Sequence, residues 1–243
     1  MRTLLRVESV SKNYGGIVAN SDVSVHVKAG EIVGIIGPNG SGKSTLFNLI
    51  CGTHPVDAGE VHFSGRDITR LSSAEIARAG LVRTFQQTRV YRGMTCLDNM
   101  RVSSPRVGGW LSSPSPQVDD KAMELLSFVG LAGKRDWQAG ELSFGQQKLL
   151  ELAMALVARP KLLLLDEPTA GINPTLINGV LSRLRAVNEE LGVTLAVIEH
   201  NMRVIMNLAA RIYCLAHGRM LAEGVPADIQ KDRRVIDAYL GEQ

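Results

Sequence analysis

Apolar residues along this chain follow two periods. Over the first third they alternate with polar residues or run together in short β-branched blocks, and later they recur mostly at helical spacing, which together predict a mixed α/β protein. Leu4–Val10 and Ile17–Val27 read as strands, the second with Val23, Val25 and Val27 on one face. Ile32-Val33-Gly34-Ile35-Ile36 is an apolar run of the kind buried on both faces of a parallel sheet, and Leu46, Leu49 and Ile50 beyond it share one helix face. Gly59–Phe63 predicts a short strand, Ser72 with Glu75 a capping box opening a short helix that Gly80 closes, and Leu81–Phe85 a further strand. From Ser103 to Pro116 the composition shifts to Ser, Pro and Gly, predicting an exposed loop or lobe boundary.

Two helical stripes follow, Ala122, Leu125, Leu126 and Val129 ending at Gly130, then Leu149, Leu152, Ala153, Leu156 and Val157 ending before Pro160. Leu162–Leu165 is a fully apolar strand. A long helix striped by Ile177, Val180, Leu181, Leu184, Val187 and Leu191 closes at Gly192, and Val193–Ile198 is another core strand. Arg211–Leu215 and Arg219–Ala222 predict a hairpin turning at His217-Gly218, and Val235–Leu240 a last short helix. There is no internal repeat and no heptad array.

Between the strand ending at Ile36 and the helix bearing Leu46 stands Gly37-Pro38-Asn39-Gly40-Ser41-Gly42-Lys43-Ser44-Thr45, which fits the phosphate-cradling pattern G-x-x-x-x-G-K-[ST]. Gly37, Gly40 and Gly42 permit backbone angles and close approaches that a Cβ would obstruct, so successive N–H groups can converge on phosphate oxygens at the positive end of the helix. Lys43 is then the contact to the β and γ phosphates, and the Ser44 hydroxyl a ligand for Mg²⁺.

Other candidates lie at strand and helix ends. Asp166-Glu167-Pro168 follows the apolar strand Leu162–Leu165, where open parallel sheets put their ligands. Asp166 suits the metal-side carboxylate and Glu167 the base that polarises an attacking water. His200, just past another core strand, is either structural or within reach of a γ-phosphate. Tyr14 is either a half-buried strand-end aromatic or a platform for a nucleotide base. Gln86 is a solvated turn residue or an amide that coordinates Mg²⁺ or holds a water. Ser143, Gly145 and Gln146, at the start of a helix, form an ordinary cap or a second anion site.

Composition excludes several classes. Hydrophobic residues at 45% and charged residues at 21% are ordinary for a folded globular chain, and no apolar run approaches the ~18 residues of a membrane span. Met1–Arg6 lacks the apolar stretch of a secretion signal, which predicts a cytoplasmic protein. Cys51, Cys96 and Cys214 are widely spaced and in no paired motif, so reduced thiols are expected. The net charge of +3 is spread along the chain without a basic cluster, so no nucleic-acid partner is expected.

Taken in order, the phosphate loop, Leu142-Ser143-Phe144-Gly145-Gln146, the acidic strand end and His200 resemble the ATP-binding subunits of ABC transporters. The resemblance implies one ABC-type nucleotide-binding domain over residues 1–243: a P-loop NTPase with a RecA-like core and an antiparallel β subdomain (1–89 and 160–243) and a helical subdomain (90–159). It makes Tyr14 the adenine-stacking residue and Gln86 the metal- and water-contacting glutamine. It makes Ser143, Gly145 and Gln146 the signature that binds ATP held by an opposing subunit.

Val82–Gln86, Asp166–Pro174 and Ala238–Gly241 look like the ATPases of branched-chain amino-acid importers, with urea or short-amide importers as the alternative solute class. Phe144 stands where the signature usually has Gly, Asn173 where many members carry Asp, and the 103–116 segment is shorter than is common in the group. The implied partners are membrane permease subunits, a second ATPase and, indirectly, a periplasmic binding protein; the implied place is the cytoplasmic face of the inner membrane, and the implied cofactors are ATP and Mg²⁺. The rival readings are a non-transport ABC ATPase acting on DNA or ribosomes, and a small-molecule kinase, which would leave Ser143–Gln146 and His200 without work.

Overall fold

The computed structural model describes residues 2–84, 90–104 and 116–240. They fall into two compact units, one within Met1–Arg83, Lys161–Pro168 and Arg185–Gln243, the other within Thr84–Pro160 and Thr169–Leu184.

The first unit carries two sheets. β1 (Thr3–Tyr14) pairs antiparallel with β2 (Ile17–Lys28) and, on its other side, with β4 (Ala58–Phe63), which adds β5 (Arg66–Asp67). The second sheet has the order β10-β9-β3-β8-β7-β6 and comprises β3 (Ile32–Ile36), β6 (Leu81–Arg83), β7 (Leu162–Asp166), β8 (Thr194–Ile198), β9 (Arg211–Ala216) and β10 (Arg219–Gly224). All its pairings are parallel except the hairpin of β9 with β10. Every residue of β3, β7 and β8 is buried, as their unbroken apolar runs require. Helix α1 (Lys43–Ile50) sets Leu46 and Phe47 into a core that also takes Val7 and Val25 from the first sheet and Leu164, Ile198 and Leu215 from the second. A capping box between Ser72 and Glu75 opens α2 (Ser73–Arg78), as the sequence predicts.

In the second unit, α3 (Cys96–Ser103), α4 (Pro116–Phe128) and α5 (Phe144–Val157) pack together, with Met100, Leu125, Leu126 and Leu150 buried. Arg101 clamps Asp119 with two hydrogen bonds, of 2.8 and 2.6 Å. The fully buried Asn99 donates to the carbonyls of Tyr91, Met94 and Thr95, which stitches the entry of α3. Helix α6 (Pro174–Glu189), which belongs to this unit as far as Leu184, carries the long apolar stripe up to Val187; it ends before Leu191, which is exposed.

Helices α3, α7 (Met202–Leu208) and α8 (Pro226–Ile229) do not show in the hydrophobic pattern. The reason is their size and what they bury: α3 hides a Cys, an Asn and a Met, while α7 and α8 are two turns or less, too short for a period to register. The last short helix is α9 (Arg233–Leu240), two residues longer than its stripe. Phe85 at the end of the expected strand, most of the 103–116 segment and Gly241 lie outside the described residues.

Candidate nucleotide site

Two glycines of the phosphate loop are needed for space as well as for backbone angle, while Gly40 (φ 71°) is needed for angle alone. A Cβ on Gly37 (φ 147°) would lie 2.1 Å from the carbonyl oxygen of Leu215, and one on Gly42 (φ 99°) 2.4 Å from that of Ala19. Neighbouring elements hold the loop: the Gly218 N–H at the β9–β10 turn donates to the Ser41 carbonyl at 3.1 Å, and Asn20 Nδ2 donates to the Gly42 carbonyl at 3.3 Å. Lys43 is buried, with Nζ donating to the carbonyls of Gly37 and Pro38, both at 2.7 Å, and to Ser41 Oγ at 3.3 Å. Its ammonium thereby sits inside the loop's curve. Helix α1 begins at Gly42 with no side-chain cap and no acidic residue in its first turn, so its positive end is left for an anion. Asn39, Gly40 and Ser44 are exposed, and Thr45 is half-buried.

Asp166 ends β7 and pairs in register with Ile198 of β8. Its Oδ2 accepts from Arg83 Nη2 at 2.7 Å, and Arg83 Nη1 donates to Asn48 Oδ1 at 2.5 Å, linking β7, β6 and α1. The Asp166 side chain is 3% exposed, and its Oδ1 has no hydrogen-bond partner among the described residues. A buried carboxylate oxygen without a donor is costly in isolation and fits a hard cation.

Glu167 follows with φ 51°, a left-handed backbone uncommon for a side chain of its size. Its N–H donates to the Ile198 carbonyl at 2.9 Å, and its Oε1 lies 2.6 Å from His200 Nε2. The glutamate is mostly shielded and the histidine 39% exposed at the side chain.

Tyr14 closes β1, and its hydroxyl lies 2.6 Å from His54 Nδ1. The ring is about a third exposed, stands nearly perpendicular to that of His54 and has Lys12 Nζ over it, 5.5 Å from its centroid.

In the second unit, Ser143 caps α5 through a capping box: Ser143 Oγ accepts from the Gln146 N–H at 3.3 Å, and Gln146 Oε1 accepts from the Ser143 N–H at 3.1 Å. Phe144 lies against Gly171, where a Cβ would come 3.0 Å from its ring, and that contact together with φ 73° keeps position 171 a glycine. Asn173 Oδ1 accepts from the N–H and hydroxyl of Thr175 at 3.1 and 2.9 Å, a turn that feeds α6 and needs no negative charge.

The first unit thus brings together the loop 37–45, Asp166, Glu167 and His200 at the C-terminal ends of parallel strands, with Tyr14 ending β1. Ser143, Gly145 and Gln146 belong to the second unit. Gln86 lies outside the described residues. Sequence reasoning missed Arg83, Asn48 and Asn20 as members of this network. No sequence signal places Arg83 next to Asp166, because the pairing of β6 with β7 that brings them together is set by strand order.

A family profile described as ABC transporter matches residues 20–170, which hold the phosphate loop, the Ser143–Gln146 segment and the acidic strand end. The chain belongs to the ABC transporter family. As a member it is an ATP-binding, ATP-hydrolysing energy-coupling ATPase, with the P-loop NTPase fold of a RecA-like parallel core, an antiparallel β subdomain and a helical subdomain. A second profile, described as branched-chain amino acid ATP-binding cassette transporter, matches residues 219–243. The chain is similar to the probable branched-chain amino acid transport ATP-binding protein LivG of Archaeoglobus fulgidus, 37% identical over 249 residues that cover 99% of this chain and 96% of that one. Among solved structures it resembles the ADP conformation of MJ1267, an ATP-binding cassette of an ABC transporter, with a TM-score of 0.91, 34% identity and coverage of 99% and 100%. It also resembles the dimeric structure of MJ0796, a bacterial ABC transporter cassette, with a TM-score of 0.78, 29% identity and coverage of 92% and 99%. No helix among the described residues is long and apolar enough to cross a membrane.

Proposed function

We propose that this ABC ATPase energises import of branched-chain amino acids from the cytoplasmic face of the inner membrane, docked on separate permease subunits that a periplasmic binding protein supplies. The observation that carries the solute class is the match of residues 219–243 to the profile described as branched-chain amino acid ATP-binding cassette transporter. Likeness to the Archaeoglobus relative along nearly the whole chain supports it.

Residues 37–45 would hold the ATP phosphates, with Lys43 between the loop carbonyls and the γ-phosphate, and Tyr14 would stack on the adenine. The orphaned Asp166 Oδ1 and the exposed Ser44 hydroxyl fit Mg²⁺, with Gln86 as a further ligand; the ion would neutralise phosphate charge. Glu167 would polarise the attacking water, held by His200 at 2.6 Å. Ser143, Gly145 and Gln146 would serve ATP on a second ATPase subunit, so that two chains close on two nucleotides and reopen after hydrolysis.

Labelled-leucine uptake tests the reading in cells lacking this chain, complemented with wild type or Glu167→Gln. Restoration by wild type alone supports it. Unchanged leucine, isoleucine and valine uptake without the chain, in cells with no redundant importer, removes the solute assignment, and urea or short-amide uptake is then the next measurement.

A further inference from the structure

We propose that Tyr239 is a positioning residue for the phosphate loop, its hydroxyl fixing the loop's first peptide so that ATP meets a loop already shaped; this rests on the reading of residues 37–45 as the nucleotide site. The Gly37 N–H donates to Tyr239 Oη at 2.8 Å, across a sequence separation of 202 residues. Tyr239 belongs to the last turn of α9, an element outside the loop, the acidic strand end and the Glu167–His200 pair.

Helix α9 is lightly held. Of its residues Val235 is buried, while Ile236 and Leu240 are 42% and 60% exposed. A cavity of about 160 Å³, lined by Pro38, Gly40, Ser41, His217, Asp237 and Ala238, lies between the helix and the loop. The helix therefore does not pack flush on the loop, and the tyrosine hydroxyl reaches it as a directional polar tie.

What that tie controls follows from the other end of Gly37. Its carbonyl accepts from Lys43 Nζ at 2.7 Å, so the residue is held at both its N–H and its C=O. Glycine at φ 147° has no side chain to restrain its torsions; Tyr239 fixes the peptide before its Cα and Lys43 the peptide after it, so loss of the first tie frees the torsions that set where the Lys43 contact lies. Without the hydroxyl, the nucleotide itself must order the loop on binding, which weakens affinity. Once ATP is bound its own phosphate contacts order the loop, so turnover at saturation is preserved.

The test compares wild type, Tyr239→Phe and Lys43→Ala in the full chain, by ATP titration calorimetry with Mg²⁺, steady-state kinetics and hydrogen exchange at the Gly37 amide. Loss of one hydrogen bond predicts a rise of about three- to tenfold in Kd and KM for ATP in Tyr239→Phe, with kcat within about twofold. The Gly37 amide should exchange faster in the nucleotide-free variant, with the melting temperature within about 2 °C of wild type. Equal Kd, or equal Gly37 exchange, in wild type and Tyr239→Phe would overturn the positioning role alone. A fall in kcat at unchanged KM would also overturn it. Failure of wild type itself to bind ATP would instead remove the nucleotide reading beneath it.

Discussion

Glu167 and His200 meet at 2.6 Å beyond the ends of neighbouring parallel strands, and Glu167 makes that contact with a left-handed backbone, φ 51°. The strain is held by the Glu167 N–H bond to Ile198, at 2.9 Å. A carboxylate aimed in this way has a defined position for one water, which is what a general base requires. Glu167→Gln keeps the shape and removes the base, so ATP affinity should stay near wild type while hydrolysis slows about 10²- to 10⁴-fold. Near-normal phosphate release in a single-turnover assay would sink this assignment.

Lys43→Ala separates binding from chemistry. The substitution removes a charge-assisted phosphate contact and also leaves the Gly37 and Pro38 carbonyls without their ammonium donor. ATP affinity should fall about ten- to a hundredfold, read by titration calorimetry. Equal affinities in wild type and variant would count against the lysine's role.

The paired-subunit reading predicts a different phenotype for Ser143→Arg. The exposed Ser143 caps its own helix here, so the arginine costs a cap of about 1 kcal/mol yet leaves the first unit's loop untouched. ATP should still bind the single chain, while ATP-dependent dimers, measured by light scattering in a Glu167→Gln background, should vanish. Dimers of wild-type strength in the double variant would exclude a signature contact with a second chain.

Gly37→Ala tests the steric account of the loop. The new Cβ would lie 2.1 Å from a backbone carbonyl of β9, which no side-chain movement relieves. A loss of stability of about 2–4 kcal/mol is expected, seen as a lower denaturant midpoint. A change under 0.5 kcal/mol, the ordinary range of surface substitutions, would refute it.

The three cysteines are all buried, and burial pushes the Cys51 thiol up to about 12, the Cys214 thiol up to about 11 and Cys96 in the same direction. At pH 8 the folded Cys51 is ionised to about one part in 10⁴, so a thiolate-selective reagent should label none of the three until denaturant is added. The folded chain keeps protons that the unfolded thiols release above their ordinary 9.0, so stability should decline as pH rises from about 9. Rapid labelling of folded protein at pH 8 would contradict this.

Local chemistry was legible in the sequence. The strand–loop–helix order around Lys43, the carboxylates at the end of an apolar strand, the Ser72–Glu75 capping box and the Ser143 cap each involve residues a few positions apart, so spacing alone carries them. The parallel core and its buried strands were legible for the same reason, because two-sided burial leaves unbroken apolar runs. What only the tertiary structure decided is which ends meet. The order β3-β8-β7-β6 sets β8 beside β7, so His200 reaches Glu167, and β6 beside β7, so Arg83 reaches Asp166 from 83 residues away. Tyr239 reaches Gly37 across 202 residues from a helix whose own pattern shows little besides Val235 facing inward. Such contacts leave no periodic trace, because a polar side chain at a strand or helix end looks the same in sequence whether water or a distant partner satisfies it, and strand order alone determines which.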